Sequence, residues 1–473
     1  MSINETTENY KDNWLYIQSR EQLNWLKNIL SRMKLAPCIN SLLETDLYKL
    51  TMGQMFFHKH AGVKGTYKFL CRNKDVKFTK EMVDEINAQL DYVSMLSFRP
   101  EEIEFLRTIR FLKHDYIEFL KGFKMRRDQI KVTLKEDGTL DITVNGLIYM
   151  ASIWEIYTLA IVNEVHFRMK YAEEWDAIIA DANDRLTAKI EKFTNGTWQW
   201  SFGDFGLRRR LCREWHENMF WRLIKEANRI DPITGEKRCA LSGTSNVYLS
   251  YLAHKNGFKV PAIGTCAHES IQLYQGIPGC DPTYSNKFML RDWFEEYEGD
   301  LGTALTDTIS TDVFLLDINA AYAKMLSGYR HDSNDEIAWG EKILSHLEKF
   351  RHQGVIPEEK LLLFSNGLDG DRAQKVWQHF AVEKCCKVGF GIGTWFTNDT
   401  YVPALNIVLK LQEVEVDGVK TNVIKLSDTQ GKTMTQSPTD ADFLRDAVIH
   451  RLEKSKGFQR ENCLADWIRD CPA

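Results

Sequence analysis

The pattern of hydrophobic and polar positions changes along the chain. Between residues 130 and 146 apolar and polar residues alternate in two runs, and Asp137-Gly138 lies between these runs. Alternation with a period of two predicts strands, and Asp-Gly is a residue pair that a tight hairpin turn favours. We therefore predict an antiparallel hairpin here. Other elements predicted in this half are a strand at 65–72, a helix that begins near Leu47 after Thr45-Asp46, and helices at 151–170 and 211–228.

From about residue 240 onward, short apolar runs that end in Gly, Thr, Ser or Asp alternate with amphipathic stretches. Alternation of strands and helices predicts parallel strands in an α/β layer or barrel. A second hairpin follows at 406–427 around Asp417-Gly418, and we expect it to pair with the N-terminal strands. The predicted strands are 260–265, 302–307, 361–365 and 387–393, and the predicted helices are 311–327, 338–351 and 370–380.

The longest apolar stretch runs from Leu147 to Val162 and is interrupted by Ser152 and Glu155. It is short for a membrane span, so we predict a buried helix and no membrane association. The first fifteen residues show no positively charged region followed by an apolar core, so we expect no signal peptide. Residues 1–40 are polar with scattered aromatic residues and are predicted to form an N-terminal helical extension. The expected compartment is the cytoplasm.

Charge and cysteine content exclude several classes of protein. The 61 Lys and Arg residues stand against 66 Asp and Glu residues, which gives a formal net charge of −5 and no basic field for nucleic acid. Anionic substrates would therefore need local basic groups. The ten cysteines form no C-x-x-C pair and show no spacing typical of zinc ligands. We expect reduced thiols in a cytosolic protein.

Glycine-containing segments at two predicted strand ends are candidates for phosphate binding. They read SNGLD at 365–369 and FGIGT at 390–394. Glycine lets the backbone N–H groups approach an anion closely, although a glycine after a strand often marks only a tight turn. The chain has no Walker P-loop and no G-x-G-x-x-G motif, which disfavours P-loop kinases and Rossmann dehydrogenases.

Titratable residues also collect at the predicted strand ends, where α/β barrels carry their chemistry. His268 follows a Gly-Thr turn, and such an imidazole can act as an acid, a base or a nucleophile that carries a phosphoryl group, or it can be structural. Asp307, Arg330 and Asp332 suit an anionic substrate with bound metal, or they form ordinary ion pairs.

Two further groups of charged residues have plainer interpretations. Arg208, Arg209 and Arg210 form a local positive cluster, and we expect at least one of the three on a solvated helix face. The pair His58 and His60 lacks a third ligand of suitable spacing and is interpreted as surface.

Together these motifs resemble the nicotinate phosphoribosyltransferase family. The resemblance extends from about residue 40 to residue 435, and the residues outside it remain uninformative. The segments that carry it, in the family's order, are ETDLYKLTMGQ (44–54), DFGLRRR (204–210), SGTSN (242–246), GTCAHES (264–270), LTDTISTD (305–312), RHDSND (330–335), SNGLD, FGIGT, LNIVLKL (405–411) and KLSDTQGK (425–432).

The resemblance implies a type II phosphoribosyltransferase fold of α/β class. It implies an irregular α/β barrel at 166–399 and a second α/β domain made of 41–165 with 400–473. It also implies a homodimer with shared active sites, the substrates nicotinate and phosphoribosyl pyrophosphate, ATP as co-substrate, and Mg²⁺ as cofactor. No protein ligand of the metal is assigned at this stage.

Residue by residue, the resemblance makes His268 the histidine that ATP phosphorylates. It implies that Tyr48 and Phe205 sandwich the pyridine ring, with Tyr48 supplied by the partner subunit. Asp307 and Asp332 match acids around the ribose and the metal. The remaining matches contact nicotinate or the phosphates: Arg208, Ser245, Thr265, Arg330, Gly367, Gly393 and Thr394.

Two positions depart from the family pattern. Asn334 stands where DSGD has glycine, and Asn can adopt the left-handed conformation that glycine favours. Asn366 stands where the family often has aspartate, which removes a charge near the phosphates.

Three competing functions remain open from the sequence. They are a nicotinamide phosphoribosyltransferase, an ATPase or phosphohistidine carrier, and a binding protein that has lost catalysis. The nicotinamide enzymes resemble this chain but carry GTD where it has Gly243-Thr244-Ser245, so Ser245 favours the acid as substrate. A helix cap is the plainer interpretation of Ser245.

Overall fold

The computed structural model describes residues 20–231, 235–354, 359–429 and 432–455. Residues 1–19, nearly half of the predicted N-terminal extension, lie outside these ranges. The α-helices are α1 Arg20–Arg32, α2 Leu47–Lys59, α3 Lys80–Val93, α4 Pro100–Arg107, α5 His114–Lys121, α6 Ile148–Ala151, α7 Trp154–Lys170, α8 Trp175–Thr194, α9 Arg213–Glu226, α10 Val247–Lys255, α11 His268–Gln272, α12 Ser285–Tyr297, α13 Thr311–Asp317, α14 Ala320–Met325, α15 Glu336–His352, α16 Gly370–Trp377, α17 Thr394–Thr397 and α18 Pro438–Lys454. The strands are β1 Lys64–Cys71, β2 Ile130–Leu134, β3 Leu140–Leu147, β4 Phe202–Asp204, β5 Asn228–Ile230, β6 Lys237–Cys239, β7 Leu241–Thr244, β8 Thr303–Leu305, β9 Gly328–His331, β10 Leu361–Phe364, β11 Val388–Ile392, β12 Ile407–Val416 and β13 Val419–Asn422.

The chain divides into two compact units. The first unit contains residues 1–57, 67–263 and 392–410, and the second contains 58–66, 264–391 and 411–473. The domain bounds implied by the resemblance stay a prediction.

In the first unit the sheet order is β12-β1-β3-β2, so the second predicted hairpin does lie beside an N-terminal strand. The predicted hairpin at 130–146 is confirmed, because β2 and β3 pair antiparallel and Gly138 turns with a φ of 80°. The apolar stretch that was predicted to be a buried helix is also confirmed: in α7 every residue from Trp154 to Phe167 is buried. None of the helices among the described residues is long and apolar enough to cross a membrane.

A strand predicted at 260–265 is wrong. This segment makes a single parallel bridge, Ala262 to Thr244, at the end of β7. Pro261 has no N–H to donate to a ladder, so the pairing cannot extend through it. The backbone contacts are limited to Thr244 N–H with Pro261 O at 3.1 Å and Ile263 N–H with Thr244 O at 2.9 Å.

In the second unit β8, β9, β10 and β11 form parallel neighbours, which confirms the predicted α/β class. The predicted helix at 311–327 is interrupted instead: α13 ends at Asp317, and Asn319 starts α14 by accepting from Tyr322 N–H. Asn competes with the helix backbone in this way, which favours a cap over a helix interior. In the segment predicted as a helix at 370–380, the α-helix ends at Trp377 and a π-helix follows over Gln378–Glu383.

The core of the second unit packs α18 against the segment that leads into α13 and the stretch after β13. Its members are Ile309, Val313, Ile424, Leu426, Ala441, Leu444, Val448, Ile449 and Leu452.

Candidate active site

His268 is the first residue of α11 and is buried among polar side chains of the second unit. Its Nδ1 lies 2.9 Å from Thr308 Oγ1. Its Nε2 lies 3.0 Å from Asp332 Oδ2 and 2.8 Å from Lys425 Nζ. The same ring nitrogen therefore faces an acceptor on one side and a donor on the other.

Two acids and one lysine surround this imidazole. Asp307 follows β8 and Asp332 follows β9, so the parallel strands bring the two carboxylates to one edge. Lys425 Nζ lies 3.3 Å from Asp307 Oδ2 and 3.9 Å from Asp332 Oδ2. Ser333 also donates to Asp307 Oδ2 at 2.6 Å. The ammonium group thus neutralises part of the negative charge beside His268.

Burial, the largest effect, and the charge of Lys425 together lower the pKa of His268 to about 4, against the opposing effect of Asp307 and Asp332. Burial raises the pKa of Asp332, but the hydrogen bond to His268 and the charges of Arg330 and Lys425 outweigh burial and hold this pKa well below its usual range. At neutral pH the imidazole is therefore uncharged and keeps a lone pair, as a nucleophile requires.

Arg330 connects this group to its surroundings. Its guanidinium donates to Thr265 Oγ1 at 2.8 Å and to Ser365 Oγ at 2.9 Å, and it lies 3.4 Å from Asp332 Oδ1. Five predicted site residues are thus joined in one network of contacts: Thr265, His268, Asp307, Arg330 and Asp332.

The ligand atoms of His268, Asp307 and Asp332 all lie within 4.8 Å of one another, so these residues could hold a metal ion. Asp307 Oδ1 is buried and has no hydrogen-bond partner among the described residues. Carboxylate oxygens are the ligands that Mg²⁺ prefers, so the two acids fit this ion better than the imidazole does.

A second group of predicted site residues lies in the first unit around Glu155. The Tyr48 hydroxyl lies 3.3 Å from Glu155 Oε2, and Lys49 Nζ lies 2.7 Å from the same oxygen. Arg208 and Lys410 each lie 3.5 Å from Glu155 Oε1. Burial raises the pKa of Glu155, but the charges of Lys410, Lys49 and Arg208 outweigh burial and lower the pKa overall.

Ser245 belongs to this group through Asp46. Its hydroxyl donates to Asp46 Oδ1 at 2.6 Å, and Arg208 Nε lies 3.5 Å from Asp46 Oδ2. Burial raises the pKa of Asp46, while Arg208 and the bond from Ser245 lower it to a smaller extent. The helix-cap interpretation of Ser245 is wrong, because Asn246 caps α10 by accepting from Tyr248 N–H at 3.1 Å.

Comparisons with known proteins identify the family of this chain. The model of the nicotinate phosphoribosyltransferase (NAPRTase) family matches residues 200–451, and the model of the family's N-terminal domain matches residues 43–163. The chain belongs to the nicotinate phosphoribosyltransferase family. It is 37% identical to the nicotinate phosphoribosyltransferase of Acinetobacter baylyi over 422 residues, which is 87% of this chain and 97% of that protein. It is 38% identical to the Herminiimonas arsenicoxydans protein of the same name over 425 residues, 88% of this chain and 100% of the relative.

A solved structure agrees with the family assignment. The nicotinate phosphoribosyltransferase of Porphyromonas gingivalis superposes with a TM-score of 0.75 at 32% identity, over 86% of this chain and 99% of that one. The competing nicotinamide phosphoribosyltransferase receives no support from these comparisons.

Three other residues matched to the nicotinate phosphoribosyltransferase family, Gly367, Gly393 and Thr394, lie after strands of the sheet. Gly367 is exposed and has a positive φ of 57°. Gly393 precedes the short helix α17, which begins at Thr394, and both residues are partly exposed. A Cβ atom on Gly393 would lie 3.0 Å from the carbonyl oxygen of Phe205. Phe205 is itself half-buried, and its N–H donates to Ile392 O at 2.9 Å.

Both departures from the family pattern have structural explanations. Asn334 has a φ of 72°, the left-handed conformation in which Asn can replace Gly. The side-chain oxygen of Asn366 accepts from Lys432 Nζ at 2.9 Å, so an amide stands where a carboxylate would have formed an ion pair.

Two predictions about charged residues are wrong. None of Arg208, Arg209 and Arg210 is exposed, and Arg210 is fully buried in an ion pair with Glu44 at 2.8 Å. Burial and, to a smaller extent, the charges of the neighbouring Arg208 and Arg72 together lower the pKa of Arg209 to about 10.

His58 and His60 do not form the predicted surface pair. His58 Nδ1 lies 2.8 Å from Glu296, and His60 Nε2 lies 3.0 Å from the Tyr274 hydroxyl. Their side chains are only 18% and 11% exposed.

Sequence reasoning missed several residues of both groups. Lys425 lies in the segment KLSDTQGK, which carried the family resemblance without a role for its first residue. Glu155 gave a signal, since a carboxylate inside an apolar stretch must find buried counter-ions. Thr308, Asp46 and Lys410 also lie in segments that carried the resemblance, but no role was predicted for them, because only folding brings them to their partners.

Proposed function

We propose that this protein condenses nicotinate with 5-phosphoribosyl 1-pyrophosphate to give nicotinate mononucleotide and pyrophosphate, and that ATP hydrolysis drives the reaction. The reaction would be the first step by which nicotinate enters NAD synthesis, and the enzyme would act as a cytoplasmic homodimer. Membership of the family supports the overall reaction. The observation that carries the ATP coupling is the buried, uncharged His268 between Lys425 and Asp332.

In the condensation the pyridine nitrogen forms a bond to C1 of the ribose while the bond from C1 to pyrophosphate breaks. Cleavage ahead of attack gives an oxocarbenium-like transition state, so the protein must position two reactants and stabilise charge on the leaving group. Arg330 is held by Thr265 and Ser365 in a fixed orientation, as a phosphate-binding guanidinium requires. Gly367 and Gly393 let the backbone approach the phosphates, and Thr394 adds a hydroxyl.

Asp307 and Asp332 would hold Mg²⁺ together with the substrate. A bound ion would supply positive charge to the pyrophosphate leaving group. Lys425 lies between the same two carboxylates, so its ammonium group compensates their charge when no substrate is bound.

His268 would take the γ-phosphoryl group from ATP. The bond from phosphorus to the ADP oxygen breaks, and a bond from phosphorus to a ring nitrogen forms. The product adds negative charge and acceptor oxygens beside Lys425 and Arg330. Rearrangement of these contacts would switch the site between high and low affinity for its substrates.

The group around Glu155 would bind the carboxylate of nicotinate. The three cations Lys49, Arg208 and Lys410 lie around the two acids Glu155 and Asp46, so this group offers positively charged side chains to an anionic substituent. Phe205 and the partner's Tyr48 would then sandwich the pyridine ring. A carboxamide would gain less from this positive charge than a carboxylate would.

The test is product formation from nicotinate and from nicotinamide, each with and without ATP, by the parent enzyme and by His268→Ala. We expect ATP to stimulate the parent with nicotinate, and His268→Ala to keep only the slow ATP-independent rate. Equal stimulation by ATP in His268→Ala would refute the phosphohistidine, and a preference for nicotinamide would refute the substrate.

A further inference from the structure

Asp204 lies at the end of β4 and connects three segments of the first unit through one carboxylate. Its Oδ1 accepts from Gly206 N–H at 2.9 Å, within its own turn. Its Oδ2 accepts from the Thr244 hydroxyl at 2.9 Å and lies 2.8 Å from His216 Nε2 on α9. We propose that Asp204 and His216 are positioning residues that fix the two turns carrying Phe205 and Ser245. This inference rests on the proposed binding of nicotinate by those two residues.

The second turn is held by the backbone as well as by the carboxylate. The carbonyl oxygen of Asp204 accepts from Ser245 N–H at 2.8 Å. Thr244 Oγ1 in turn accepts at 3.1 Å from the N–H of Asn246, the N-cap of α10. Phe205 lies between Asp204 and Gly206, whose N–H bonds to the carboxylate, and Ser245 follows Thr244, whose hydroxyl bonds to it. A small displacement of the Asp204 side chain therefore moves both turns.

The strand register brings these groups opposite one another. Phe202 pairs with Leu241, but Gly203 pairs with Gly243 and Asp204 with Thr244, so β7 carries one extra residue. Bulges of this kind redirect side chains and are frequent next to active sites. Without the extra residue Asp204 would face Gly243, which has no hydroxyl to donate.

Asp204 and His216 are also fully buried, so stabilisation of the fold alone is a poor explanation for their contact. Asp204 and His216 are both 0% exposed. His216 Nδ1 has no hydrogen-bond partner among the described residues. Removing polar groups from water costs free energy, so a buried polar pair is frequently no more stable than an apolar pair of the same volume. What the pair provides is a charge-assisted hydrogen bond of defined geometry between α9 and the Asp204 turn.

The first experiment compares His216→Leu with His216→Gln. The glutamine keeps an N–H donor toward Asp204, whereas the leucine removes it. We expect His216→Leu to raise the KM for nicotinate about tenfold and His216→Gln to stay within about threefold of the parent. The KM for phosphoribosyl pyrophosphate and the ATP-dependent labelling of His268 should change less than about twofold in both variants.

Asp204→Asn is the second variant, and Asp317→Asn is its matched control. Asp317 is a buried carboxylate paired with Arg451 in the second unit. Both substitutions should lower the melting temperature, but only Asp204→Asn should raise the KM for nicotinate selectively.

Two results would overturn the inference. The first applies when Phe205→Ala raises the KM for nicotinate. In that case the inference fails if His216→Leu leaves the KM for nicotinate at the parent value, or if it changes the KM for nicotinate and the KM for phosphoribosyl pyrophosphate in parallel. The second is an unchanged nicotinate KM in Phe205→Ala, which would refute the proposed ring-binding site itself and the positioning role with it.

Discussion

Ser245 donates its hydroxyl hydrogen to Asp46 Oδ1 and therefore already belongs to a buried, charged group. An aspartate at this position would face Asp46 and also the carboxylate of a bound nicotinate. Two like charges about 4 Å apart repel by roughly 4 kcal/mol at an effective dielectric constant near 20. The charge at position 245 should thus decide between the acid and the amide of the pyridine.

We expect Ser245→Asp to raise the KM for nicotinate by about a hundredfold or more, because part of this repulsion acts on the bound substrate. Ser245→Asn is the control, because asparagine has nearly the same size as aspartate but no charge. The KM of this variant for nicotinate should rise less than about tenfold. The KM for phosphoribosyl pyrophosphate should change little in either variant. Equal nicotinate KM values in the two variants would show that size, not charge, matters here.

At the scale of elements, the turn after β11 brings the backbone of Gly393 against the backbone of Phe205. A Cβ atom on Gly393 would meet the backbone of Phe205 at 3.0 Å, and backbone cannot move aside as a flexible side chain can. Gly389 in the same strand has its nearest atoms at 3.4 Å and 3.5 Å, both in leucine side chains, which is ordinary van der Waals contact.

Gly393→Ala should therefore displace Phe205 and raise the KM for nicotinate by about tenfold, together with a smaller rise for phosphoribosyl pyrophosphate. Gly389→Ala should leave both constants within about twofold of the parent. Steady-state kinetics of the two variants check this expectation. Indistinguishable constants for Gly393→Ala and Gly389→Ala would contradict the close approach of Gly393 to Phe205.

At the scale of the whole molecule, the prediction concerns which subunit supplies Tyr48. Within one chain the Tyr48 ring lies 5.8 Å from the Arg208 guanidinium and its hydroxyl contacts Glu155. The proposed dimer adds the requirement that this ring serve the partner's site.

Mixing Tyr48→Ala chains with His268→Ala chains discriminates between the two arrangements. If Tyr48 acts in the partner's site, half of the randomly mixed dimers have one intact site, so about one quarter of the ATP-coupled parent activity should return. If Tyr48 acts in its own chain, every site contains one defect and no activity returns. As controls, each variant alone is taken through the same refolding or subunit exchange that is used to mix the two kinds of chain.

Much of the fold could be predicted because local patterns fix it. Both Asp-Gly hairpins, the buried helix after Leu147 and the parallel strands follow from periodicity and turn chemistry. The errors occurred where a local signal met a competing contact. Asn319 caps a new helix inside an apparently continuous one, and Pro261 limits an apolar run to a single bridge.

The sequence by itself determined the family and the α/β class, and its motifs singled out His268, Asp307, Arg330 and Asp332, because local patterns and family motifs can be recognised before the chain folds. Only the tertiary structure decided how those residues are charged. The low pKa of His268 depends on burial and on Lys425, which lies 157 positions away in the sequence. Ser245 was predicted to cap a helix, but its hydroxyl donates to Asp46, which lies 199 positions away in the sequence. Protonation and hydrogen bonding depend on which groups share a buried volume, and that proximity arises only when the chain folds.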